Sequence, residues 1–158
     1  MIAFTWNLML ALVWVMVTGN FSGPNLVAGF VFGYAILRFT QGGNPRFVAY
    51  FGKIPKLIRF VVLFVWDLIK SNVRVAYDVL TPTHHMRPAV IAVPLEEGIS
   101  DAAITVLANS ITLTPGTLSL DVSSDRKTLY IHAMYLDDEA ALRAEIKTLE
   151  RRVIELLG

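Results

Sequence analysis

The residues of this 158-residue sequence that could carry acid–base or metal chemistry are few and scattered. There is no cysteine, which excludes disulfides, thiolate nucleophiles and cysteine-ligated zinc. His84 and His85 are neighbours in a predicted linker, where their side chains diverge, and His132 has no cysteine or glutamate near it at ligand spacing. No serine lies in a G-x-S-x-G context, and no phosphate-binding or dinucleotide-binding fingerprint is present. We therefore predict no metal site, no cofactor and no enzymatic activity.

Asp67 and Lys70 are the ionisable residues in the most informative position, because they lie within a strongly apolar stretch. Their spacing of three residues lets them pair on one face of a helix. Ionisable residues inside a membrane mark ion paths, but a salt bridge that faces solvent or a partner protein is the simpler interpretation. We predict that this pair is a contact site with another subunit.

The charges divide the chain into three blocks. Residues 1–37 contain no charged side chain and no histidine, and residues 38–80 contain seven basic and two acidic residues. Residues 81–158 contain seven basic and eleven acidic residues. A membrane part, a basic collar that attracts the anionic cytoplasmic leaflet, and a water-soluble tail explain this distribution. The basic excess is too small and too local to indicate nucleic-acid binding.

The first block predicts a transmembrane helical hairpin over residues 1–39. Apolar runs at 2–17 and 26–37 flank a segment rich in glycine, proline and turn-forming polar residues, 18–25. Each limb forms a helix of about 25 Å, short for a hydrocarbon core of ~30 Å, so a bent or re-entrant pair is the alternative. Because the hairpin holds no group that can titrate, we predict that it forms no proton or sodium path by itself.

Gly29 and Gly33 form a G-x-x-x-G pair in the second apolar run. Small residues at this spacing let another helix approach closely, although glycine is also common in membrane helices in general. We predict both glycines as candidate contacts with another subunit.

Residues 40–54 predict a basic loop, and residues 55–80 predict an amphipathic helix. The excess of basic residues places the loop in the cytoplasm, so both ends of the hairpin face inward. At 100° per residue, the charged residues of the helix form one stripe opposite an apolar face. The helix either lies at the cytoplasmic interface or forms a third span. Unless they pair, Asp67 and Lys70 at mid-membrane would cost about 2.5–3.5 kcal/mol each, which favours the interface over a span whose polar stripe faces partner subunits.

Residues 81–158 predict a small cytoplasmic α/β domain with the order β-α-β-β-α. Three strands are expected, at residues 89–95, 117–122 and 128–134. Ser100 or Asp101 can cap the helix that follows the first strand, and Asp137 can cap the final helix. The final helix has apolar residues at alternating steps of four and three, so it either covers the sheet or docks on a neighbour. The predicted fold is thus a membrane α-helical anchor, made of the hairpin and the amphipathic helix, followed by this domain.

One stretch of the sequence is similar to a known family. Residues 108–117 (ANSITLTPGT), followed by 120–122 (LDV) and 129–132 (LYIH), resemble the E subunits of the Mrp-type Na⁺/H⁺ antiporter family. The N-terminal order of an apolar run with Asn7, then Trp14, then a Gly/Pro break is similar too. The likeness covers essentially the whole chain.

The resemblance implies a subunit of a complex in the bacterial cell membrane that exchanges monovalent cations, chiefly sodium, for protons. In that family, large antiporter-like subunits are held to carry the ion paths, and the E subunit supplies no established catalytic residue. Together with the charge-free hairpin, this predicts a non-catalytic accessory or assembly subunit whose partners are other membrane subunits. The candidate docking residues in the similar stretch are Asn109, Thr112, Thr114, Pro115, Gly116 and Thr117. The alternative is a membrane-tethered regulatory domain that senses a small ligand and acts on a signalling partner.

Overall fold

The computed structural model describes residues 2–82 and 85–157, which contain five helices and three strands. The helices are α1 (Ile2–Thr18), α2 (Gly23–Gln41), α3 (Pro45–Leu80), α4 (Asp101–Leu113) and α5 (Glu139–Leu157). The strands are β1 (Ala89–Pro94), β2 (Thr117–Val122) and β3 (Thr128–Ala133). Two compact units follow one another along the chain, and the boundary between Lys56 and Leu57 falls within α3.

The first unit contains a helical hairpin, as the sequence predicts. Helices α1 and α2 are joined by residues 19–22. Pro24 lies in the first turn of α2, where a backbone N–H makes no hydrogen bond within the helix, so proline is well tolerated there. Small residues of both helices are buried: Ala3 and Ala11 in α1, and Gly29 and Gly33 in α2. Within the described ranges, we find no helix that is both long enough and apolar enough to span a membrane.

The structure corrects the predicted basic loop over 40–54. Only residues 42–44 separate α2 from α3, because α3 already begins at Pro45. Proline suits the first position of a helix, and the side chains of Phe47 and Phe51, one turn apart, are buried in the apolar cluster of the first unit. Aromatic packing therefore gives a helix where the glycines and basic residues indicate a loop.

The predicted amphipathic helix over 55–80 is the C-terminal part of α3. The predicted first residue of this helix, Pro55, lies inside α3. A proline in this position removes one backbone hydrogen bond, which breaks a weakly packed helix but is tolerated when the flanking turns are held by other contacts. The type of element is therefore predicted correctly, and its first ten residues are not.

The second unit contains the predicted β-α-β-β-α order. Its strands form one antiparallel sheet in the order β1-β3-β2, with Ile91 opposite Ile131 and Val93 opposite Leu129. The sheet residues and the helices α4 and α5 share one apolar core, which includes Ile91, Val93, Leu107, Leu129, Ile131 and Ile146. The final helix thus covers the sheet of its own chain, which is one of the two predicted alternatives.

The helix caps agree with the sequence at α4 and differ by one residue at α5. The Ser100 hydroxyl accepts a hydrogen bond from the N–H of Ala103 at 3.2 Å. The predicted cap of α5, Asp137, is wrong, because the Asp138 carboxylate accepts from two N–H groups of the first turn at 2.8 and 3.3 Å. Asp137 instead forms an ion pair with Arg74. Two adjacent aspartates look alike in the sequence, and the tertiary partner decides between them.

Candidate functional site

The stretch that carries the family resemblance folds into a turn that is bonded to its own backbone. The N–H of Thr117 donates to the carbonyl of Thr114 at 3.2 Å, with Pro115 and Gly116 at the two central positions. The φ angle of Gly116 is +89°, which is the conformation that the third position of a type II turn requires. The Thr117 hydroxyl donates to the carbonyl of Ile111 at 2.7 Å and so fastens the turn to the end of α4.

The other polar residues of this stretch divide into bonded and exposed ones. The Thr112 hydroxyl accepts from the N–H of Ser119 at 3.2 Å, and the Thr114 hydroxyl donates back into α4. Asn109 is exposed on α4. The three threonines therefore have roles within the chain, and contact between this stretch and another subunit stays a prediction.

We expect Gly116→Ala to destabilise the α/β domain by about 1–3 kcal/mol. An added Cβ would lie 3.2 and 3.3 Å from two ring carbons of Tyr135, and alanine is also strained at this positive φ. Gly98→Ala is the matched control, because Gly98 has φ +78° but no atom within 4 Å of the added Cβ. Urea unfolding of the whole chain, followed by circular dichroism, should show the larger loss for Gly116→Ala. Equal losses would mean that the Tyr135 contact has no effect.

The charged stripe of α3 faces the α/β domain of the same unit. The predicted pair is confirmed, with 2.8 Å between Lys70 Nζ and Asp67 Oδ1. The structure adds Arg152 of α5, whose Nη1 lies 3.2 Å from the other oxygen of Asp67. One turn further, Arg74 pairs with Asp137. These residues therefore bind α3 to its own domain, and their predicted contact with another subunit is not needed to give them partners.

Asp78, near the end of α3, is 3% exposed and is held by several donors. Its Oδ1 accepts from the N–H of His85 at 2.7 Å and lies 3.5 Å from that residue's Nδ1, and its Oδ2 accepts from the hydroxyl of Tyr135 at 3.2 Å. The guanidinium of Arg74 lies over the Tyr135 ring, 4.7 Å from its centroid. His85 thus contacts a buried carboxylate, and His84 lies outside the described residues.

Asp78 also affects the titration of Tyr135. Partial desolvation raises the pKa of the Tyr135 hydroxyl, the charge and hydrogen bond of Asp78 raise it further, and Arg74 acts in the opposite direction. A folded-state pKa above that of the unfolded chain contributes stability below pH about 10, and this contribution is lost as the pH rises through the folded-state pKa.

We therefore expect Asp78→Asn to move the pKa of Tyr135 back toward its ordinary value. The measurement is the alkaline titration of tyrosinate absorbance, with the Tyr135→Phe chain subtracted so that only this hydroxyl is followed. An unchanged Tyr135 titration in Asp78→Asn would show that the carboxylate does not act on it.

In the first unit, Gly29 and Gly33 receive α1 of the same chain. A Cβ added at Gly33 would collide with Asn7 Oδ1, and one added at Gly29 would lie 2.9 Å from a ring carbon of Trp14. The close helix approach that the glycine spacing predicts is therefore confirmed, within the hairpin. Asn7 is fully buried there, and its Nδ2 donates to the hydroxyl of Tyr50 at 2.6 Å. Contact of these glycines with another subunit stays a prediction.

Sequence reasoning missed the buried carboxylate of Glu150. This residue is 0% exposed, its Oε1 accepts from the N–H of Glu96 at 2.7 Å, and its Oε2 lies 2.6 Å from Lys147 Nζ. The signal was present in the sequence, because Glu150 follows Ile146 by four residues and precedes Val153 by three, so it lies on the apolar face of α5. A glutamate on the apolar face of a helix predicts a buried hydrogen-bond acceptor.

A groove of about 530 Å³ lies between the polar face of α3 and the helices of the domain. Its rim carries Lys70, Arg74 and Arg152, and its floor includes Ile111, Leu142, Ile146 and Leu149. In residues 2–82 and 85–157, no three histidine, aspartate or glutamate side chains come together in a way that could hold a metal ion. The charged residues are arranged to fasten α3 to the domain.

Comparison with known proteins gives concordant matches. A family model described as "Na+/H+ ion antiporter subunit" matches residues 7–156. The chain is 35% identical over 151 residues to the E subunit of the Na⁺/H⁺ antiporter of Alkalihalophilus pseudofirmus, covering 95% of this chain and 94% of that protein. It is 36% identical over 132 residues to the corresponding E subunit of Bacillus subtilis, covering 84% and 82% of the two chains.

A solved structure is similar as well. The match is to a chain of the Mrp complex from Dietzia sp. DQ12-45-1b, with a TM-score of 0.50 and 26% sequence identity. It covers 65% of this chain and 96% of the other. The likeness thus extends from sequence to three-dimensional structure.

Proposed function

We propose that this chain is a non-catalytic accessory or assembly subunit of a multisubunit cation/proton antiporter, because it belongs to the family of Na⁺/H⁺ antiporter E subunits. The complex exchanges sodium or another monovalent cation for protons across the bacterial cell membrane. Its other subunits form the ion path and are the partners of this chain.

The proposal includes a membrane position for the hairpin. The outward side chains of α1 and α2 are large and apolar, and many are strongly exposed: Phe4, Trp6, Met16, Val17, Val27, Val31, Phe32 and Phe39. Water does not tolerate so continuous an apolar surface, but lipid or the helices of another subunit do. The excess of basic residues after the hairpin supports a cytoplasmic side for both of its ends and for the α/β domain.

One observation carries the non-catalytic part of the proposal. Residues 2–37 contain no side chain that gains or loses a proton near neutral pH, and three of their polar side chains bind one another between the two helices. Trp14 Nε1 donates to Asn25 Oδ1 at 3.0 Å, and Asn25 Nδ2 donates to the Thr18 hydroxyl at 2.8 Å. Polar groups used in this way join two helices, whereas proton relays need titratable groups that face a path.

The proposal is tested by deletion and reconstitution. Membrane vesicles from cells that lack this subunit should lose Na⁺/H⁺ exchange, and expression of the chain should restore it. The Asp67→Asn chain should restore exchange equally well, because Asp67 binds Arg152 and Lys70 of its own unit. The purified chain alone should move no sodium in liposomes. Sodium transport by the isolated chain, or loss of exchange in Asp67→Asn with normal assembly, would overturn the non-catalytic role.

A further inference from the structure

The part of α3 in the second unit has two opposite sides. On one side, Asp67, Arg74 and Asp78 bind residues of the α/β domain. At 100° per residue, the opposite side of the helix carries five exposed aliphatic residues that we call the outward stripe: Ile58, Val62, Val65, Ile69 and Val73. Trp66 and Tyr77, also exposed, lie at one edge of this stripe.

We propose that the outward stripe lies on the surface of an anionic lipid bilayer, with the part of α3 that belongs to the second unit in the plane of the membrane. This inference rests on the proposed function, which supplies the membrane. It decides between the two arrangements that the sequence alone leaves open for residues 55–80.

The contacts with the domain argue against a spanning helix. Between Asp67 and Asp78, α3 is held along about 16 Å of its length, which is half of a hydrocarbon core of ~30 Å. If this part of α3 crossed the bilayer, the domain bound to it would have to enter the hydrocarbon with its charged surface. Arg126, Glu145 and Arg151 are among the exposed charged residues of that domain. An in-plane helix keeps the domain in water and still covers the outward stripe.

Charge complementarity identifies the occupant as an anionic lipid surface. In the sequence, the segment that leads into the outward stripe contains four basic residues and no acidic one: Arg46, Lys53, Lys56 and Arg59. Anionic headgroups attract such a segment, whereas its passage through the hydrocarbon would be costly. Tryptophan and tyrosine at the edge of an apolar stripe are also typical of the membrane–water interface.

The chain contains no cysteine, so single-cysteine variants can be spin-labelled without further changes. Labels at Ile58→Cys, Val62→Cys, Ile69→Cys and Val73→Cys report depth in vesicles that contain phosphatidylglycerol, from their accessibility to oxygen and to a nickel chelate. Ser71→Cys, on the groove side of the same turns, is the matched control. The measurement is made on the full chain alone and on the chain purified with its complex.

The expected result is one common depth, about 5–10 Å below the headgroups, at all four positions of the outward stripe. The control label should be accessible to the aqueous chelate. A spanning helix would instead give a depth difference of about 22 Å between positions 58 and 73, which would overturn the inference. Labels accessible to water alone, or shielded from both reagents in the complex by a partner protein, would overturn it too. Co-purification of other antiporter subunits tests the proposed function independently of this depth profile.

Discussion

Glu150→Ala is expected to lower the free energy of unfolding of the α/β domain by about 3–5 kcal/mol. Glu150 is 0% exposed, and its two oxygens bind the N–H of Glu96 and the ammonium of Lys147. The substitution leaves a backbone donor without its acceptor, a lysine without its counter-charge and a cavity in the face of α5. Chemical unfolding of the whole chain, followed by the circular dichroism of the sheet and helices, measures the loss.

Two further variants separate the causes of this loss. Glu150→Gln keeps an acceptor for the N–H of Glu96 but removes the charge near Lys147, so it should lose less than Glu150→Ala. Glu145→Ala removes an exposed carboxylate from the same helix and should stay within about 0.5 kcal/mol of the original chain. A loss below about 1 kcal/mol for Glu150→Ala would show that the buried carboxylate does not join α5 to the end of β1.

The local pattern of the sequence predicts the α/β domain well, because each of its elements is defined by short-range signals. Strands β2 and β3 show period-two alternation on either side of a turn, and Ser100 caps α4 as expected. The start of α3 was missed for the same reason. Glycine, proline and basic residues near 42–46 are typical of a loop, and the signal that overrides them, the burial of Phe47 and Phe51, depends on packing.

The contacts of the candidate site could not be predicted in the same way, because they join residues that are far apart in the chain. Asp67 and Arg152 are separated by 85 residues, and Asp78 and Tyr135 by 57. The sequence showed that α3 has a charged stripe, but it offered solvent or another subunit as the partner. The actual partner is the domain at the other end of the same chain, and an in-plane helix keeps this domain in water.

The glycine spacing in α2 predicts a close helix contact correctly, but it does not predict which helix makes the contact. The G-x-x-x-G pattern predicts a close helix approach without naming the helix. The structure shows that α1 takes this place, with Asn7 against Gly33 and Trp14 against Gly29. A pattern of small residues specifies how near a neighbour comes, and the lengths of the connecting segments decide which neighbour it is. Here the connection of residues 19–22 is too short for another helix to intervene.

Gly33→Ala is expected to destabilise the hairpin by about 2–4 kcal/mol. The added Cβ would collide with Asn7 Oδ1 and would lie 3.1 Å from Leu10 Cβ, so α1 must move away from α2. That movement breaks the 2.6 Å hydrogen bond between Asn7 and Tyr50 and leaves buried polar groups without partners.

Oxidative cross-linking measures this effect directly, because cysteines introduced at Ala3 and Leu37, which are buried in one cluster, are the only thiols in the chain. The Gly33→Ala chain should form this cross-link more slowly. Gly23→Ala is the matched control, since no atom lies within 4 Å of its added Cβ, and its cross-linking rate should not change.

The double variant Asn7→Ala/Gly33→Ala tests the cause. Asn7 Oδ1 is the atom nearest to the added Cβ, and it has no hydrogen-bond partner among the described residues. Removing this side chain makes room for the new methyl group, so the double variant should lose less stability than the sum of the two single losses. Strictly additive losses would mean that the asparagine and the glycine act separately. In that case, the close approach at Gly33 would depend on the backbone and Leu10, and the buried amide would serve only to bind Tyr50.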